Sequence, residues 1–77
     1  MKAFIVTYEL ADPDTHKFVC QIDNASILVE DRPDVIKELR RMYPMFKVDL
    51  TTINWDTEIN SALEHLGKRH NEFYNPM

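Results

Sequence analysis

Glycine is nearly absent from this chain: Gly67 is the only one in 77 residues. Loops that cradle a phosphate need several glycines so that backbone amides can close on the ligand, which excludes that mode of nucleotide binding. Cysteine is equally scarce. Cys20 stands alone, so no disulfide can form within the chain, and a reducing, cytoplasmic setting is expected. Its place in an apolar alternation marks it as a small buried hydrophobe. Long apolar runs are missing too. The opening MKAFIVTYEL breaks off before it reaches the length of a signal peptide's apolar region, and nothing approaches a membrane span.

Positive charge is in deficit, with 9 bases against 13 acids and a net charge of −4. Between residues 9 and 31 lie Glu9, Asp12, Asp14, Asp23, Glu30 and Asp31, against Lys17 alone. Affinity for a phosphate backbone needs a continuous cationic surface, so this half of the chain suits a partner with a basic site instead. The same charges also keep a small protein in solution. The bases gather at Arg40, Arg41 and Lys47, and again at Lys68 and Arg69.

What is present is enough to fold. An apolar fraction of 44 % beside 29 % charged residues places the chain away from disordered compositions, and its length allows a single domain over residues 1–77. Residues 3–10 alternate as a strand, with Phe4, Val6, Tyr8 and Leu10 on one face and Ala3, Ile5, Thr7 and Glu9 on the other. The segment ADPDTH has turn composition, and its aspartates can fold onto nearby amides. A strand HKFVCQI follows and is broken by DNAS, after which ILVE reads as a short edge strand or an extended lead-in. Pro33 with Asp31 and Asp34 signals a helix start, and Val35, Ile36, Leu39, Met42 and Tyr43 form its apolar stripe until Pro44 stops it.

A third strand covers about 46–54, and the last helix opens near Asp56 or Thr57. Its stripe is Ile59, Ala62, Leu63 and Leu66, with His70 and Phe73 at the same spacing, so the helix is expected to continue through Gly67 to a frayed NPM end. A hairpin followed by a helical crossover returns the third strand beside the first. The expected fold is α+β: an antiparallel three-stranded sheet in order 2-1-3 with two helices, in chain order β-β-α-β-α. The first helix is expected over the face carrying Phe4, Val6, Phe18, Cys20, Phe46 and Val48.

The third strand has an irregularity. Phe46, Val48 and Leu50 alternate on one face, but the next large apolar residues, Ile53 and Trp55, fall out of phase. A bulge near Thr51–Thr52 would flip every later side chain. Alternatively the strand's end is covered on both faces. On the simple alternation Ile5, Val19, Ile53 and Trp55 share the face opposite the main apolar rows, where they either meet the last helix or await a partner.

No constellation for catalysis, metal or cofactor emerges. Asp12, Asp14 and His16 lie close in sequence, but the glycine and later glutamate of a calcium loop are missing. His65 and His70 lie roughly 140° apart around a helix and cannot chelate one ion together. Ser26 and Ser61 have no histidine within predictable reach. VTYELADP, residues 6–13, resembles the first strand of the small CRISPR adaptation nucleases. Glu9 stands where that family has its aspartate, and a strand follows where the family has a helix, so no membership follows.

The expected function is therefore a non-enzymatic protein–protein interaction module. By analogy of size and charge with phage-encoded inhibitors such as anti-CRISPR proteins, it is a small acidic inhibitor or regulator of a larger nucleic-acid-handling complex. Its partner-binding residues would be Asp12, Asp14, Asp23, Glu30, Asp31, Ile5, Ile53 and Trp55, and self-association into a homodimer is open. The alternative is a nucleic-acid-binding module that uses Arg40, Arg41 and Lys47, with Tyr43 as a stacking group.

Overall fold

A computed structural model describes the backbone of residues 1–74 and the side chains of residues 1–66. The expected chain end at 75–77, and the side chains of Lys68, Arg69, His70 and Phe73, lie outside that description. The elements are β1 (Lys2–Ala11), β2 (Phe18–Val29), α1 (Asp34–Met42), β3 (Lys47–Trp55) and α2 (Thr57–Tyr74). The sheet is antiparallel in order β2-β1-β3, as the hairpin and crossover predict. α2 runs on through Gly67.

β1 keeps a strict alternation, while both of its neighbours carry extra residues. On β3, Thr7 pairs with Thr52 but Tyr8 pairs with Leu50, which leaves Thr51 as a bulge. On β2, Val6 pairs with Ala25 and Tyr8 with Ile22, so Asp23 and Asn24 together oppose Thr7. Asn24 takes a left-handed φ of 52°, which asparagine tolerates better than most residues, and its amide donates to Thr7 Oγ1. DNAS is thus a bulge within one continuous strand and not a break. A further slip leaves Val19 extra beside Leu10 and Ala11.

These bulges keep apolar residues over a single face. Phe4, Val6, Tyr8 and Leu10 are flanked by Val29, Ile27, Ala25, Ile22 and Cys20 on β2, and by Trp55, Ile53, Leu50 and Val48 on β3. α1 lies across that face and adds fully buried Val35 and Leu39, with Ile36 and Tyr43 packed beside them. Three expected core members are not there. The slip at Val19 pairs Phe18 with Ala11 on the other face, where it is 63 % exposed, and Met42 of the α1 stripe is also exposed. Phe46 precedes β3 and is exposed as well. Cys20 is a free thiol, only half-buried, packed against the core edge.

The Tyr8 hydroxyl shares a hydrogen bond with that of Tyr43 at 2.8 Å, tying the sheet to the end of α1. α2 is attached differently. Asp56, buried, caps the helix by accepting from the Ile59 amide, and the Ser26 hydroxyl donates to its other oxygen. Asn60 accepts from the Ala3 amide at 2.8 Å and donates to the Ala3 carbonyl at 2.7 Å, so its side chain imitates one more residue of β3. Among the described residues α2 meets β1 and no other element. Ten strand residues span about 33 Å and eighteen helical residues about 27 Å. Laid end to end they account for the 62 Å long axis, and the radius of gyration of 16.4 Å exceeds the roughly 11–12 Å of a compact chain this size.

Asn60→Ala leaves the buried Ala3 amide without its acceptor and is expected to destabilise by about 1–3 kcal/mol in urea unfolding. Burial, with the Tyr43 hydrogen bond second, pushes the Tyr8 phenol up to about 12. Unfolded tyrosine titrates near pH 10, so the neutral phenol favours the fold fully below about pH 10. That contribution is lost as pH rises toward 12. In a tyrosinate-absorbance titration one of the three tyrosines is expected to titrate last, together with unfolding, and Tyr8→Phe removes that phase.

Candidate functional site

α1 covers one face of the sheet, and among the described residues no element lies over the middle of the other. At one end of this open face Ala3 is buried beneath the first turn of α2. From there Ile5 sits between Ser26 and Asn54, and Thr7 lies beside Thr52. Glu9 sits between Gln21 and Asp49. Ile5, Thr7 and Glu9 are half-buried by their neighbours, whereas Ser26, Thr52, Asn54, Gln21 and Asp49 are exposed.

Glu9 and Asp49 are directly opposed across β1 and β3, an arrangement that costs stability because like charges repel at that spacing. Gln21 donates to Asp23 Oδ1 at 2.6 Å, which places a third carboxylate on the same face. The base on this face, Lys47, has its ammonium 3.3 Å from His16 Nδ1 in the β1–β2 turn. His16 holds a left-handed φ of 63° there. In the same turn one Asp12 oxygen accepts from the Asp14 and Thr15 amides at 2.8 and 2.9 Å. Those hydrogen bonds, Thr15's first, hold the Asp12 carboxyl below the usual carboxylate range. The expected turn chemistry is present at Asp12.

The residues expected to bind a partner do not form one surface. Asp12 and Asp14 occupy the turn at one end of the sheet, and Asp23 lies along the open face. Glu30 and Asp31 lie at the opposite end, where Asp31 forms an ion pair with Lys2 at 2.8 Å that lowers its pKa. Ile53 and Trp55 are the clearest correction. The Thr51 bulge turns them to the covered face, opposite Val6 and Phe4, away from Ile5. Ile53 packs at the core edge. Trp55 meets Phe4 edge-on, ring centres 5.5 Å apart, yet remains 52 % exposed. It borders a groove with Met1, Asn60, Ser61, Leu63 and Glu64 where α2 leaves the sheet.

The basic cluster is partly committed elsewhere. Arg41 is paired with Glu38, which holds the Glu38 carboxyl low and the Arg41 guanidinium high, and Lys47 is turned to His16. The Tyr43 hydroxyl is engaged by Tyr8 and its half-buried ring packs against the core, and Arg40 is exposed. Asp49 and Asn60 are the residues sequence reasoning missed. Given the strand order, Asp49 could have been found by counting back from the Thr51 bulge. Nothing local to Asn60 announces its bond to Ala3.

Among the described residues no group of three or more His, Cys, Asp or Glu side chains is placed to hold a metal. Nor, among them, is any helix long and apolar enough to cross a membrane. No family model matches the chain, and no curated protein or solved structure shows significant similarity to it.

Glu9→Gln removes the like-charge pair while keeping the shape of the side chain. It is expected to raise stability by about 0.2–1 kcal/mol in urea unfolding at neutral pH. The gain should shrink in high salt, because exposed charges are screened.

Proposed function

We propose that this protein acts by binding another protein, with the acidic open face of its sheet set against a basic site. The opposed Glu9 and Asp49, with Asp23 beside them, carry this reading. Their mutual repulsion is an internal cost that a cationic partner surface relieves on docking, so the isolated fold is less satisfied than the bound one. Basic clefts of that kind are what nucleic-acid-handling enzymes present to a phosphate backbone. A small acidic protein seated in one excludes the nucleic acid, which makes an inhibitor or regulator of such a complex the activity we favour. A free, half-buried Cys20 suits a reducing cytoplasm.

Affinity capture from the source cell with tagged wild type and a Glu9→Lys/Asp23→Lys/Asp49→Lys variant tests the reading. The variant is expected to retain its specific partner at least about tenfold less well, the loss of roughly 1.4 kcal/mol or more expected from reversing charge contacts. Equal retention by a folded variant overturns it. The nucleic-acid reading has less support, with Arg41, Lys47 and Tyr43 already engaged. A salt titration against short single and double strands separates the two, since phosphate binding weakens steeply with salt.

A further inference from the structure

Besides its carboxylates, the open face carries an aromatic ring that the fold does not use. The slip at Val19 brings Phe18 opposite Ala11, on the face of Ile5, Thr7 and Glu9, and leaves it 63 % exposed. Among the described residues its ring meets no other aromatic side chain. Across the sheet its row runs Phe18, Ala11, Lys47. The next row on this face runs Gln21, Glu9, Asp49 and lies about 7 Å away, two strand residues along β1. Asp23 is joined to that second row through Gln21.

Ring and carboxylates together define a chemistry. An aromatic face attracts a cation, and a planar guanidinium can also stack on it. A carboxylate takes the N–H donors of the same group in pairs. Phe18 beside Glu9 and Asp49 offers both, so the patch is complementary to arginine in particular. A lysine ammonium is a compact, strongly hydrated point charge and gains less from either contact. The chain's own bases leave the patch open. The Lys47 ammonium is turned to His16 at 3.3 Å, and Lys17 belongs to the turn before β2. Among the described residues neither Glu9 nor Asp49 has a side-chain hydrogen bond or an ion pair.

We propose that Phe18 is the aromatic anchor of the acidic face and receives an arginine side chain of the partner protein. The guanidinium stacks on the ring and pairs with Glu9 and Asp49. This rests on the acidic face being the docking surface, and adds which cation that surface selects.

Labelled oligo-arginine and oligo-lysine peptides of equal length, titrated with the full chain at one ionic strength and followed by fluorescence anisotropy, test it. Wild type is expected to bind the arginine peptide more tightly. Phe18→Leu alters an exposed position and keeps it apolar, so the fold is retained by circular dichroism. It is expected to weaken the arginine peptide about two- to fivefold, the range of an exposed cation–π contact, and to bring it near the lysine peptide. Leu28→Ala, exposed at the far end of the same face, is expected to change neither affinity. Glu9→Gln/Asp49→Asn is expected to weaken both peptides and to flatten their salt dependence. Equal wild-type affinity for the two peptides overturns the role of Phe18, while the carboxylate result still upholds the acidic face. So does a Phe18→Leu chain that binds the arginine peptide as wild type does, or a loss matched by Leu28→Ala. Absence of binding to either peptide, or binding that ignores the Glu9 and Asp49 substitutions, overturns both. A dimer in sedimentation velocity that Phe18→Leu dissolves gives the ring to a second copy and overturns the proposal as well.

Discussion

Both ladders of the sheet are built on β1. It is the only strand with both edges paired, and its inward row of Phe4, Val6, Tyr8 and Leu10 lies at the centre of the core. Tyr8 reaches α1 through Tyr43, and Ala3 holds α2 through Asn60. A strand in that position cannot be irregular, since one extra residue would turn its whole core row outward. The irregularities are accordingly found on β2 and β3, where each bulge changes the phase of a single strand.

That distribution explains what could be read in advance. Strand order, crossover and helix spans followed from alternation, Pro33, Pro44 and the capping Asp56, all of which act within a few residues. The slip from Leu50 to Ile53 announced the Thr51 bulge. The same parity change from Ile22 to Ala25 announced a bulge at Asn24, but Asp, Asn and Ser beside it read as a turn. Both segments obey one rule, that the apolar row follows β1 and not its own strand's count. The acidic site was only half legible, because Glu9 and Asp49 are forty positions apart and meet only once the register is known. Simple alternation put Trp55 on the open face, and the bulge that the phase slip offered as the alternative puts it opposite Phe4.

The molecule is also divided along its length. One end is a sheet whose open face carries Glu9, Asp23 and Asp49 beside exposed Phe18 and Leu28, and the other is a helix whose Ile59 and Leu66 are exposed. Asp56 and Asn60 join the two through hydrogen bonds instead of a large packed interface. Geometry is thereby kept while apolar surface is left available on α2.

The bulges have one more effect. A three-stranded sheet leaves β2 and β3 with unpaired outer edges, and β2 has twelve residues. Such edges recruit further strands, from other chains as readily as from the same one. Here β2 is interrupted at Val19 and Asn24 and β3 at Thr51, so neither offers a long regular row of donors and acceptors. The distortions that sort side chains into the core thus also guard the sheet against open-ended aggregation.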